Sequence, residues 1–131
     1  MTTRTFQIQT RQRTQLLDVT RQVQSALAEA DLEDGLCCVY VPHTTAAVTI
    51  NENADPDVSR DILHEINKRI PFEDGYHHAE GNSAAHIKAS LFGAAVTIPV
   101  QSGRLALGTW QAVYFCEFDG PRSRRFLVTV R

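Results

Sequence analysis

The sequence predicts a single compact α+β domain over residues 1–131, with a mixed, largely antiparallel β-sheet and two to three helices. Three observations lead there. Short apolar runs bounded by Gly, Pro, Asn and Asp occupy both ends of the chain, as strands do. A capped amphipathic helix and a shorter one lie between them. Strands and helices are interspersed without the regular alternation that a doubly wound parallel sheet needs. At 131 residues, folding removes about two-thirds of the extended chain's surface from water, enough for one core without disulfides.

Taken in order, "TRTFQIQTRQ" alternates around Phe6 and Ile8 as a half-buried strand, and "TQLLDV" is a second. Asp18 or Thr20 caps a helix running through Val23 and Leu27 to about Ala30. "DLEDG" is a turn, "LCCVYV" a strand, and "AAVTI" another strand between "PHTT" and the polar loop "NENAD". In "DPDVSRDILHEINKRIP", Asp55 is the N-cap and Pro56 the first helical residue, with Asp57 at the positive end of the dipole. Val58, Ile62 and Ile66 recur at four-residue spacing beside Leu63, and Pro71 ends the run. "PFEDGYHHAEG" is a loop feeding the short helix "NSAAHIKASLFG", capped by Asn82 or Ser83 and stopped at Gly93. Ile87 and Leu91 form its apolar stripe, expected to pack on the sheet. The rest is β: "AAVTIPV", a turn at Gln101–Gly103, "RLALG", "TWQAVYFCEF", a turn at Asp119–Pro121, and "RRFLVTV".

Charge excludes more than it suggests. Thirteen basic against 15 acidic residues leave a net −2, which points to neither nucleic acid nor a membrane surface. No apolar window approaches the length of a membrane span, and the N-terminus lacks a signal-like apolar region. Cys37, Cys38 and Cys116 are odd in number and set in apolar runs, so they read as small core or half-buried residues of a reducing, cytoplasmic protein.

The histidines carry the chemical question. His86 and Asn82 share one side of the short helix, and His78 lies in the loop four residues before Asn82, able to fold back over the helix N-terminus. His43 follows an apolar strand and precedes Thr44 and Thr45, as when a strand end presents side chains. Three imidazoles leaving one position open for water would make a catalytic type of zinc site. By spacing alone, ordinary surface and core roles compete with this reading, and His64 and His77 read as solvated. "HAEG" fits the H-x-E element of zinc deaminases, but no later P-C-x-x-C completes it.

Four stretches together, "PHTTAAVTINENADPDV", "YHHAEGNSAAHIKASLFG", "SGRLALGTWQAVYF" and "DGPRSRR", resemble the YjbQ family, whose members often go under the name secondary thiamine-phosphate synthase enzymes. The resemblance runs from about Phe6 to Val130 and implies a compact α+β fold assembling as a homotrimer. It matches His43, His78 and His86 to the family's histidines, bypasses His64 and His77, and covers Asn51, Asn53, Asp57, Glu80, Asn82 and Gly108–Gln111. The implied cofactor is a divalent transition metal, zinc first, held by His43, His78 and His86, with magnesium instead if the synthase reading holds. The implied partner is a small phosphorylated molecule. Thr44 and Thr45 would donate hydroxyls to it, Arg122 or Arg124 would grip its phosphate, Asn82 would orient it, and Glu80 would serve as general base. Three functions follow as expectations: thiamine-phosphate synthase activity, a metal-dependent hydrolase, or a noncatalytic trimeric metal- or ligand-binding protein. Trp110 reads as core or subunit-interface packing.

Overall fold

The strands divide into two sheets, and every pairing in both is antiparallel. The computed structural model describes residues 1–131. In chain order the elements are β1 (Thr2–Gln9), β2 (Gln15–Asp18), α1 (Thr20–Ala30), β3 (Gly35–Tyr40), β4 (Ala46–Glu52), α2 (Pro56–Arg69), α3 (Ser83–Phe92), β5 (Ala95–Gln101), β6 (Arg104–Leu105), β7 (Gln111–Glu117) and β8 (Ser123–Val130). One sheet has the order β1-β8-β3-β5-β6, the other β2-β7-β4. The α+β class and three helices agree with the sequence. No helix is long and apolar enough to cross a membrane.

The main core lies between the sheets. Val39, Val100, Phe126 and Val128 from the larger sheet meet Val48, Val113 and Phe115 from the smaller one, with α1 adding Val23 and Leu27. Phe126 stacks on Phe6 at 5.2 Å between ring centroids. A second, smaller core covers the other face of the three-stranded sheet, where Ala85 and Ala89 of α3 pack on Ala112, Tyr114 and Cys116. β7 explains both: its side chains alternate, Val113 and Phe115 to the main core, Ala112, Tyr114 and Cys116 to α3. Cys37 and Cys116 are buried, and all three cysteines are free thiols. Burial pushes the Cys37 thiol up to about 11.

Several local expectations change. Ile87 and Leu91 do not pack on the sheet; they are exposed, and α3 instead buries Ala84, Ala85, Lys88 and Ala89. The small residues let the helix lie closer to the strands than an Ile/Leu stripe would allow. None of Val58, Ile62, Leu63 and Ile66 is fully buried, since α2 lies at the periphery. Trp110 is 61% exposed, so it is not core within one chain. Asp18 caps α1 from two residues before the helix starts, accepting from Thr20 N (2.9 Å) and Thr20 Oγ1 (2.6 Å). Asp55 and Pro56 begin α2 as expected, with Asp55 Oδ1 accepting from Asp57 N.

Lys88 is the unexpected core residue. Its ammonium is fully buried, donates to Asn67 Oδ1 at 2.7 Å, and sits 4.0 Å from the centroid of the Phe72 ring, which the Arg13 guanidinium also approaches at 3.5 Å. No carboxylate pairs with it. Burial, and then the nearby Arg13 charge, push its pKa down from 10.5 to about 8. Between those two values the unfolded chain holds a proton that the folded one has released, so this residue's contribution to stability rises with pH there. The unfolding free energy of the protein minus that of Lys88→Met is therefore expected to rise by up to about 3 kcal/mol from pH 7.5 to 10.5. Urea titrations of both proteins at the two pH values test this, because the cysteine and tyrosine contributions cancel in the difference. A flat difference would mean that Lys88 keeps its ordinary pKa.

Candidate functional site

Three segments far apart in sequence converge at one edge of the fold: the β3–β4 connection, the loop entering α3 with its first turn, and the turn between β7 and β8. They enclose a cleft of about 380 Å³ with no hydrophobic residue in its lining. Eight of the nine residues singled out from the sequence line it: Thr44, Thr45, His78, Glu80, Asn82, His86, Arg122 and Arg124. Asp119 joins them. The ninth, His43, lines a neighbouring groove of about 500 Å³ that shares Thr44 and His86 with the cleft. A third groove of about 530 Å³, against Tyr76 and Ile87, shares His78 and His86. His86 thus stands where all three spaces meet.

The imidazoles of His78 and His86 meet edge to face, 5.5 Å between centroids. His78 Nε2 lies 4.0 Å from Glu80 Oε2, and both side chains are largely exposed. His43 is differently engaged. Its ring meets the edge of Phe115 at 6.5 Å, and its Nε2 accepts the backbone N–H of Arg125 at 3.0 Å. Burial, followed by the Arg124 charge, holds its pKa below the ordinary imidazole range. His64 and His77 are exposed.

These facts test a three-histidine metal centre. An ion needs an imidazole lone pair from each ligand. That of His43 Nε2 is already receiving a hydrogen bond, and no three His, Cys, Asp or Glu side chains of one chain lie close enough to share an ion. Two imidazoles, His78 and His86, are placed together; the full set is not assembled within one chain.

Beneath the cleft lies a buried ion pair. Arg124 donates to Glu117 from Nε (2.8 Å) and Nη2 (2.5 Å), and Nη2 also reaches Thr45 Oγ1 (2.8 Å). The two side chains are 6% and 0% exposed. Burial alone would raise the Glu117 carboxyl, but hydrogen bonds from Arg124, Asp119 N and Thr10 outweigh it and hold the pKa below the usual carboxylate range. Thr10 Oγ1 also accepts from Arg122 N at 2.8 Å, which ties the turn to the same network. The Arg124 fork is thus spent on Glu117 and Thr45, and it positions Thr45 beside the cleft.

Arg122 is the more open arginine, 52% exposed. Its Nη2 and Asn82 Nδ2 each donate to the same oxygen, Asp119 Oδ2, at 3.0 Å. Asn82 is the N-cap residue of α3, one of the two expected, but it makes no side-chain capping bond because its amide is turned to Asp119.

The molecule's largest groove, about 690 Å³, lies on another face between Asp18, Gln24 and Asn53. Within it Asn53 donates to Asp18, and Gln24 bridges Gly103 O and Leu105 N. The polar cleft, with an open guanidinium and paired imidazoles, is the better chemical site.

Residues 4–131 match the family described as UPF0047 protein YjbQ-like. The chain belongs to the YjbQ family. UPF0047 protein MJ1081 of Methanocaldococcus jannaschii is 50% identical over 125 residues, covering 95% of this chain and 91% of that protein. UPF0047 protein YugU of Bacillus subtilis is 51% identical over 122 residues, covering 92% of each. The crystal structure of a YjbQ/UPF0047-family protein from Clostridium acetobutylicum superposes with a TM-score of 0.96 at 50% identity, covering 97% of this chain and 98% of that one. Every residue of the polar cleft falls inside the YjbQ match.

Sequence reasoning missed Asp119, Glu117 and Thr10. A signal for Glu117 existed: it continues the inward period of Val113 and Phe115, so a carboxylate was due at a core position and needed a buried cation. Asp119 read only as a turn residue in "DGP". Nothing local marked Thr10.

Proposed function

We propose that the polar cleft binds a small phosphorylated molecule and that the protein is a metal-dependent enzyme acting on it. The observation that carries this reading is the cleft itself: an accessible guanidinium, Arg122, faces two apposed imidazoles across a lining with no hydrophobic residue. Arg122 receives the phosphate, a task that suits guanidinium geometry, and the exposed Thr44 hydroxyl donates to a second phosphate oxygen. Thr45 contributes through its ordered position on Arg124. Glu80, beside His78, takes up or returns a proton at the cleft rim.

A divalent transition metal, zinc first, would be held by His78 and His86 and would supply Lewis-acid activation of a bound oxygen. The third donor would come from the ligand, from a partner copy, or from His43 after it releases Arg125 N–H. The exposed Leu91 and Trp110 support self-association, as the homotrimer of the resemblance would require.

Thiamine-phosphate synthesis is one reaction of this class: the thiazole nitrogen forms a C–N bond to the pyrimidine methylene as pyrophosphate leaves. Glu80 and Asp119, carboxylates on the cleft, suit magnesium if this is the activity. Complementation of a thiamine-requiring strain, set beside a hydrolysis screen of phosphate esters, separates synthase from hydrolase. A ligand retained on purification with no turnover in either assay would make the protein a binding protein. Arg122→Ala is expected to weaken binding of inorganic phosphate about 10- to 100-fold without unfolding the protein. Calorimetric titration with inorganic phosphate checks this, and unchanged affinity would remove Arg122 from the site.

A further inference from the structure

The cleft contains one polar atom that the protein does not satisfy. Asn82 is 9% exposed, and its Oδ1 is buried with no hydrogen-bond partner among the protein's own atoms. The amide cannot turn over to relieve this, because Nδ2 is held at 3.0 Å by the Asp119 carboxylate, which accepts only from a donor. Oδ1 is therefore a committed acceptor on a residue that lines the cleft. It is closed to bulk water, so a donor reaches it only as the side chains that cover it yield to a ligand, and a buried acceptor left without one is costly. An anionic oxygen offers no hydrogen and cannot fill this role.

The place of Asp119 sets the spacing. Asn82 Nδ2 and Arg122 Nη2 each lie 3.0 Å from Asp119 Oδ2, so the amide and the guanidinium are neighbours on one small patch. A phosphate on Arg122 and a donor on Asn82 Oδ1 must belong to one compact molecule. Resting on the phosphate-cleft reading above, we infer that the ligand is a small phosphate ester carrying a hydroxyl or ammonium group within about three bonds of its ester oxygen, the donor being received by Asn82 Oδ1. Esters of plain alcohols, of equal size but without the donor, are rejected by the unpaired acceptor, as a site built to hydrogen-bond a hydroxyl rejects its deoxy analogue. Asn82 is in this sense a specificity residue.

Calorimetric titration of the full-length protein with matched pairs tests the inference: glycerol 3-phosphate against propyl phosphate, and phosphoethanolamine against ethyl phosphate. At least one donor-bearing ester is expected to bind about tenfold or more tighter than its partner. In Asn82→Leu the ratio of affinities within each pair is expected to fall to about one, whatever the change in affinity for phosphate itself. Asn82 makes no capping bond, so the variant keeps its helix; should it not fold, the wild-type series decides alone. Equal affinities within both pairs overturn the inference and leave the phosphate reading standing. A preference that persists in Asn82→Leu also overturns it, since the discrimination then arises elsewhere. If no ester and no inorganic phosphate binds, the phosphate reading falls and takes the inference with it.

Discussion

Replacing Glu117 with alanine is expected to lower the unfolding free energy by about 3–5 kcal/mol, because it strands a guanidinium that is 6% exposed. For a chain of this size that corresponds to a fall in Tm of roughly 10–20 °C. The double variant Glu117→Leu with Arg124→Met should recover much of the loss, since removing both charges together avoids the unpaired one. Urea denaturation at pH 7 of Glu117→Leu, Arg124→Met and the double variant measures the coupling, and the slope should stay the same if only stability has changed. Additive losses would mean that the pair is not coupled. Acid should imitate the mutation. The Glu117 pKa is held below the carboxylate range in the folded state, so its contribution is present at neutral pH and is lost as pH falls through that lowered value. The consequences reach the cleft, because the same network positions Thr45, Asp119 N and Arg122 N.

The second large effect is expected at His86. His86→Ala should cut affinity for zinc by at least about 100-fold and abolish turnover, while leaving Tm nearly unchanged, since its imidazole lines open space rather than core. His78→Ala should behave alike, and the exposed His64→Ala should be silent. Elemental analysis of untagged protein and zinc titration of each variant give the readout. His43→Ala, which frees only Arg125 N–H within the chain, is expected to leave most of the metal in place. Equal losses at His43 and His86 would mean that His43 turns its Nε2 from the backbone to the ion. No uptake by the unaltered protein would remove the metal altogether.

What could be read from the sequence was local. Asp55 and Pro56 mark the start of α2 through their own chemistry, and the apolar run of β7 marks a strand. The convergence of His78, His86 and Asn82 followed from helical spacing, and their meeting with Thr44 and Arg122 came through the resemblance. The failures share a cause: each was decided by a partner distant in sequence. Ile87 lost the core to Ala85 and Ala89 because β7 presents Tyr114 and Cys116 there and calls for small neighbours. Lys88, by its type, belongs outside, and is buried by Asn67 and Phe72 from the α2 end of the chain. Whether Arg122 or Arg124 faces a ligand depends on Glu117, whose own side is set by strand alternation within a run of apolar residues.

The order β1-β8-β3-β5-β6 pairs the two ends of the described chain, Thr2 with Val130, and places β8 between two strands that precede it by a long stretch of sequence. Such non-local topology makes folding slow relative to a helical protein of equal length, because distant segments must meet before their contacts stabilise them. The cleft inherits this property: its lining comes from residues near 44, 80 and 122, and no contiguous fragment shorter than residues 44–124 contains it. A partly folded chain with α2 formed therefore has no binding site. A ligand that fits the cleft binds only the finished fold and raises its stability by mass action, so a thermal-shift screen detects binding and complete assembly in the same measurement.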